Sequence, residues 1–269
     1  MSFLRDFLSW WRNDEDFWHR HFAESQQFPW FMRWGHRLLR MTPSDPRCKF
    51  CDAPFGGVGG KLCSVIGRGR SRKNPRFCTG CFEHAPIGGL EADVGVLFAD
   101  MRGFTSLAET ETPEELTRLL SRFYDLAADV LSHHDAVIDK MVGDEVMALF
   151  LPAFAGDRFV QKMVSAAEGL IRGAGHGSTE GTWFPLGLGI DQGRAFVGNV
   201  GSGVVKDFTA VGDVVNTAAR LQGEAAPGQM VMSERVDAEV GDSYPQARQV
   251  QLELKGKRES VLARVVTIA

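Results

Sequence analysis

The sequence is short of the features that mark several classes of protein. No run approaches the roughly 18 apolar residues of a membrane-spanning helix, so no span is expected. Positive charge is not in excess: 30 Lys and Arg against 34 Asp and Glu leave a net charge of -4, which argues against nucleic-acid binding. Cysteine is missing from most of the chain, with all five between Cys48 and Cys81. The opening stretch, MSFLRDFLSWWRNDEDFWHR, is broken by charges and lacks a small-residue cleavage site. It does not read as a signal peptide, so the cysteines point to a metal site in a cytoplasmic protein rather than to disulfides. No internal repeat, low-complexity tract or convincing Ser-His or Cys-His nucleophile is present.

What is there divides into three zones. Residues 1–45 are aromatic and helical in pattern and hold five of the six tryptophans. Residues 46–88 are rich in Gly, Pro, Arg and Cys and read as a small loop-built module. Residues 89–269 alternate strands and helices. In that last zone the apolar run DVGVLFAD (93–100) predicts a buried strand. Thr112 and Glu115 stand at capping-box spacing before a helix reaching about Leu131. AVIDKMVG (136–143) and EVMALFL (145–151) predict a hairpin joined at Gly143-Asp144. A helix over 157–173 follows, then strands at 184–191, 195–200 and 206–211, and a helix from Asp213 to Gly223 with Asp213 placed to cap it. Two strands near 247–254 and 261–268 close the chain. The order β-α-β-β-α-β predicts an α+β, ferredoxin-like sandwich with helices on one face of an antiparallel sheet.

In the cysteine zone, Cys48-x2-Cys51 and Cys78-x2-Cys81 are two paired-thiolate knuckles. Four soft ligands suit a tetrahedral structural Zn²⁺. Residues 52–77 between them exceed the usual spacing of about 15–20 residues, so an iron–sulfur cluster or no metal stay open. Cys63 and His84 are spare ligands, and GRGRSRKNPR reads as a solvated basic loop. For residues 1–45, packing of Phe3, Phe7, Trp10, Trp11, Phe17, Trp18, Phe22, Phe31, Trp34 and Leu38 onto the module or a second subunit is preferred to membrane-surface contact, because Asp14, Glu15 and Asp16 oppose anionic lipid.

In the last zone, Asp100 ends a strand and Asp144 sits at the tip of the neighbouring hairpin. Each alone is ordinary turn chemistry, but together they can hold hard divalent cations whose other ligands are water and substrate phosphate. Asn216 and Arg220, i and i+4 on one helix, point to one side and suit an oriented substrate with charge developing on phosphorus. The alternative is a solvated Arg on an amphipathic helix.

The segments FADMRGFTSLAE, KMVGDEVMALF, GIDQGRAFVGNVG, DFTAVGDVVNTAARL and LKGKRES resemble, in order and approximate spacing, the catalytic domains of class III adenylate and guanylate cyclases over residues 89–269. The resemblance implies that Asp100 and Asp144, with the backbone of Met101, hold two Mg²⁺ or Mn²⁺ ions. It implies that Asn216 and Arg220 are the transition-state pair and that Lys255 and Arg194 meet substrate phosphates. Arg194 is the softer assignment, because its position varies among bacterial members. It further implies that Lys140 and Thr209 read the purine. A lysine donates to adenine N1, where guanylate cyclases place a glutamate, and the threonine hydroxyl accepts from the N6 amine. The expected reaction is ATP to cyclic AMP and pyrophosphate. In this family one subunit supplies Asp100 and Asp144 and the other supplies Lys140, Thr209, Asn216, Arg220 and Lys255, so a homodimer with shared sites is expected. The rival readings are a guanylate cyclase, a catalytically silent cyclase-like module, and a metal or redox sensor with cyclase output.

Overall fold

The computed structural model describes residues 18–19, 46–202, 205–253 and 260–268. They fall into two compact units, one of Met1–Ala92 with Phe196–Ala210 and one of Asp93–Ala195 with Val211–Ala269. Most of the aromatic zone 1–45, together with Lys255, lies outside the described residues. No helix among the described residues is long and apolar enough to cross a membrane.

The smaller unit carries the cysteines. Its helices are α1 (Gly57–Val65) and α2 (Thr79–Phe82), and turns around them are closed by backbone bonds such as Cys48 N to Ala53 O at 2.9 Å and Ser71 N to Phe77 O at 2.9 Å. Asp52, directly after Cys51, adopts a left-handed φ of 56°, which is uncommon for a residue other than glycine. The unit also contains the start of β1 (Gly88–Met101), the C-terminal part of β4 (Leu186–Gly201) and most of β5 (Lys206–Val211). Its core is a line of rings. Phe50, Phe77, Phe82, Phe208 and Trp18 follow one another with centroid separations of 5.1, 5.6, 5.5 and 5.9 Å.

In the larger unit, Val94, Val96, Leu97, Phe98 and Ala99 bury the rest of β1. Gly95 leaves room for Met163, whose sulfur would stand 2.9 Å from a Cβ there. The strand pairs antiparallel with β3 (Glu145–Phe150), from Gly95 opposite Phe150 to Asp100 opposite Glu145. In turn β3 pairs with β2 (Val137–Val142), with an irregularity between Ile138 and Lys140. A short helix α3 (Phe104–Ala108) precedes α4 (Pro113–His133). The expected capping box forms at α4: Thr112 Oγ1 accepts from Glu115 N at 3.3 Å, and Thr112 N donates to Glu115 Oε2 at 3.1 Å. Phe123, Ala127 and Leu131, spaced four apart, put one face of α4 into the core. After α5 (Pro152–Ala155), α6 (Phe159–Gly173) adds Met163, Ala167, Leu170 and Ile171. Fully burying such side chains stabilises the unit by about 1.5–3 kcal/mol each.

The sheet order is β2-β3-β1-β4-β6-β8-β7, with β5 beside β4. Its first four strands and the helices α4 and α6 make the expected βαββαβ core. Helix α7 (Asp213–Glu224) leads to β6 (Gln229–Ser233), which runs parallel to β4. Helix α8 (Glu234–Val240), β7 (Arg248–Leu252) and β8 (Val261–Thr267) complete the unit.

Two expectations need correction. The strands predicted at 184–191 and 195–200 are one strand, Leu186–Gly201, with Asp191 inside it. Its buried carboxylate accepts from Ser233 Oγ at 2.5 Å, Arg235 Nη2 at 2.5 Å and Gln192 N at 2.8 Å, which satisfies a charge inside the sheet. Asp213 does not cap α7 either. Gly212 is the N-cap, with φ 169° and no side-chain bond, and Asp213 is the first helical residue. It still suits that end of the helix dipole.

Candidate active site and metal centre

The carboxylates of Asp100 and Asp144 are brought to one place by strand pairing. Asp100 is the last residue but one of β1 and lies opposite Glu145, the first of β3. Met101 N donates to Asp144 O at 3.2 Å, which locks the hairpin tip against the end of β1. Gly143 turns there with φ 58°, and Tyr124 on α4 donates its hydroxyl to Gly143 O at 2.7 Å. Burial, and then the negative charge of Asp144, raise the Asp100 pKa to about 6, against the opposing effects of Arg102 and Gln222. Burial and Asp144 also raise Glu145, which Lys140 counteracts. The acidic groups thus repel one another in a half-buried place, an arrangement that a divalent cation relieves. The donor set fits Mg²⁺ or Mn²⁺ held by few carboxylates, with positions left for phosphate and water.

Three residues of this site were missed in the sequence. Arg102 Nη1 stands 3.5 Å from Asp100 Oδ2, and its Nη2 donates to the backbone oxygen of Gln222. Gln222, at the end of α7, is 6% exposed. Glu145 is the third carboxylate. The signal for Arg102 was its place directly after the strand end, where a cation balances a carboxylate that a metal does not fully neutralise.

On α7, Asn216 is exposed and Arg220 half-buried, while Val214, Thr217, Ala218 and Leu221 turn inward. The i, i+4 spacing therefore leaves both functional groups outside the core. Val215 and Ala219 are half-buried. Arg194 is exposed on β4. Lys140 is half-buried on β2, its Nζ 3.7 Å from Asp139 Oδ1. Thr209 is half-buried on β5, in the smaller unit. His134, at the end of α4, is bonded through Nδ1 to Val130 O at 2.8 Å.

The second centre is in the smaller unit. The sulfurs of Cys48, Cys51, Cys78 and Cys81 all lie within 4.8 Å of one another, and all four residues are buried. Cys51 and Cys78 are 3.7 Å apart at sulfur. Tetrahedral Zn–S bonds of about 2.3 Å place sulfurs about 3.8 Å apart. A multi-iron cluster, whose cysteines bind separate irons, needs a wider spread. Backbone amides reach inward as well, from Cys78 N to Cys48 Sγ at 3.2 Å and from Cys81 N to Cys78 Sγ at 3.3 Å. Hydrogen bonding with Cys48 holds the thiols of Cys51 and Cys78 below their ordinary pKa, and the same network pushes Cys48 and Cys81 up. The knuckles can hold one tetrahedral metal ion.

The spare ligands do not join this group. Burial raises the Cys63 pKa, and His84 is exposed with Nδ1 3.2 Å from Thr79 O. The basic stretch is not simply a solvated loop. Burial works against the charge on Arg68, but the sulfurs of Cys51, Cys81 and Cys78 outweigh it and raise its pKa.

Comparison with known proteins agrees with this geometry. The family model described as the adenylate and guanylate cyclase catalytic domain matches residues 90–265. Adenylate cyclase 1 of Rhizobium meliloti is 33% identical over 141 residues, 49% of this chain and 20% of that protein. An uncharacterized protein of Mycobacterium tuberculosis is 30% identical over 164 residues, 58% of this chain and 29% of that one. The matches thus span less than a third of the length of these relatives. Among solved structures, the guanylyl cyclase Cya2 superposes with a TM-score of 0.59 at 26% identity, over 68% of this chain and 96% of that one. The adenylyl cyclase CyaB from P. aeruginosa does so with a TM-score of 0.59 at 27% identity, over 67% and 96%. With the family model covering well over half its length, the chain belongs to the adenylate and guanylate cyclase catalytic domain family.

Proposed function

We propose that the chain is an adenylate cyclase that converts ATP to 3′,5′-cyclic AMP and pyrophosphate at sites shared in a homodimer. The observation that carries this reading is the convergence of Asp100 and Asp144 at the ends of paired strands, with Asp100 raised to about 6 by burial and by its acidic neighbour. These carboxylates, with the backbone of Met101, hold two Mg²⁺ or Mn²⁺ ions. When bound, such ions lower the pKa of the ribose 3′-hydroxyl and neutralise phosphate charge. The 3′-hydroxyl gives its proton to solvent, its oxygen attacks the α-phosphorus, the bond to the oxygen bridging the α- and β-phosphates breaks, and pyrophosphate leaves with the electron pair. Asn216 orients the ribose, Arg220 meets the charge developing on the α-phosphate, and Lys255 and Arg194 bind the polyphosphate.

Lys140 and Thr209 select adenine, Lys140 donating to N1 and the Thr209 hydroxyl accepting from N6. A relative named as an adenylate cyclase supports ATP. The similar structures include both an adenylyl and a guanylyl cyclase, so selectivity rests on this pair. One mispaired group in the base pocket costs about 1–3 kcal/mol. Lys140→Glu combined with Thr209→Ala therefore shifts the GTP/ATP rate ratio toward GTP by about tenfold or more. An unmoved ratio places base recognition elsewhere.

We also infer that the four cysteines hold one structural Zn²⁺. The same reading places the chain in the cytoplasm, where free thiols persist.

The direct test is incubation with ATP and Mn²⁺, with chromatography for cyclic AMP and pyrophosphate. Asp100→Asn and Arg220→Ala subunits, each inactive alone, recover activity when mixed, at one site per heterodimer. Stable, exchanging subunits that fail to complement would rule out the shared site.

A further inference from the structure

The smaller unit joins the four sulfurs to the strand that carries Thr209. Phe50 and Phe77 are the sequence neighbours of Cys51 and Cys78, and both stand at the head of the ring line that reaches Phe208, the neighbour of Thr209. Phe77, Phe82 and Phe208 are 1%, 8% and 5% exposed, so the line is a packed core. Polar contacts grip the same strand beside it. Lys206 Nζ donates to Ala85 O, and Lys73 Nζ meets Asp207 Oδ1 at 2.5 Å. Asn199 on the adjoining β4 donates through Nδ2 to Ala85 O at 2.9 Å and Pro86 O at 3.0 Å. Side chains alternate along a strand. Lys206 and Phe208 therefore hold one face of β5, while Asp207 lies on the face that Thr209 shares. Contacts on both faces fix the position and the rotation of the strand.

Lys73 itself lies between the two cysteine pairs, in the stretch from α1 to α2, which has no helix or strand of its own. Its shape comes from short bonds such as Phe77 N to Asn74 O at 2.9 Å and Arg70 Nε to Pro75 O at 2.7 Å. A loop-built module of this size would draw part of its order from a metal held by the four cysteines. We propose that Lys73 and Phe82 are positioning residues for Thr209, so that a divalent ion in the four-cysteine site clamps β5 and thereby sets purine selectivity. The proposal rests on Thr209 reading the purine.

The test uses the full chain, zinc-loaded and after chelator treatment, with hydrogen exchange followed in peptides covering β5. Metal removal raises exchange of residues 206–211 about tenfold or more. Exchange that rises over residues 48–82 and stays unchanged over 206–211 overturns the clamp. In steady-state assays of the zinc-loaded enzyme, Lys73→Ala raises the KM for ATP and lowers the ATP/GTP ratio by about two- to fivefold, with kcat nearly constant. The charge swap Lys73→Asp with Asp207→Lys restores both. Phe82→Leu has a larger effect of the same kind, read only if its zinc content is intact. Thr209→Val is measured beside them. If it moves the ratio and neither module variant does, the clamp is wrong; if it does not move the ratio, the base-reading role fails, and the exchange data still judge the clamp.

Discussion

The acidic end of β1 and the four-cysteine module both gather metal-ligating atoms, yet they are built in opposite ways. The cysteines are buried, their sulfurs are drawn within 4.8 Å of one another, and amides point at them. Such a site is closed. Asp100 and Asp144 sit half-buried at a strand end and a hairpin tip, with Arg102 as the nearby cation. Such a site is open on one side and under-ligated by protein. On the proposed function, the difference separates a metal that would complete a fold from metals that would arrive with a substrate. It follows that removing ligands from the first should destroy structure, and from the second only activity.

The contrast is broken most severely at the closed site. Cys78→Ser removes one of the four thiolate ligands, while its hydroxyl can still accept from the Cys81 amide. The expected result is loss of stoichiometric zinc by metal analysis and a destabilisation of several kcal/mol, on the order of 3–5, seen as an early thermal transition. A variant that lost zinc but melted like the parent would remove the structural role. Next in size is Asp144→Asn, which should lower kcat by about a thousandfold while leaving circular dichroism and melting nearly unchanged. A comparable loss of fold would show that the acidic site is structural after all.

The smallest effect has the opposite sign. Asp100 has a folded-state pKa near 6, above its ordinary value of 3.8. For an acid shifted upward, ionisation costs stability above the folded pKa, and the cost disappears as pH falls through 6 toward 4. Asp100→Asn should therefore stabilise the metal-free protein at pH 7 by about 1 kcal/mol, after allowance for solvent and for the lost Arg102 pairing. The gain should vanish near pH 4. Thermal melts of both proteins in chelator at the two pH values decide it, and a destabilised variant at pH 7 would mean that Arg102 outweighs the repulsion.

Much of this architecture was legible in the chain because it is local. The apolar run of β1, the Gly143-Asp144 hairpin and the capping box at Thr112 depend on neighbours within a few residues, and all three form. The features that were not legible depend on distant partners. The continuity of β4 through Asp191 depends on Ser233 and Arg235, which follow α7 in the chain and satisfy its carboxylate. Lys73 looked like part of a solvated run, and its ion pair with Asp207 joins residues 134 positions apart. Arg102 gained meaning only beside Gln222. The candidate site was legible to the same degree: residue types and order pointed to Asp100, Asp144, Asn216 and Arg220, while the groups that tune and hold them emerged from tertiary contacts.

The hydroxyl of Tyr124 tethers the hairpin tip through Gly143 O. A carboxylate on a free loop would have to be frozen anew each time a cation arrived, and that ordering would weaken every capture event. Because α4 already restrains the tip, the proposed metal role would find Asp144 close to its working position through successive arrivals and departures of ions.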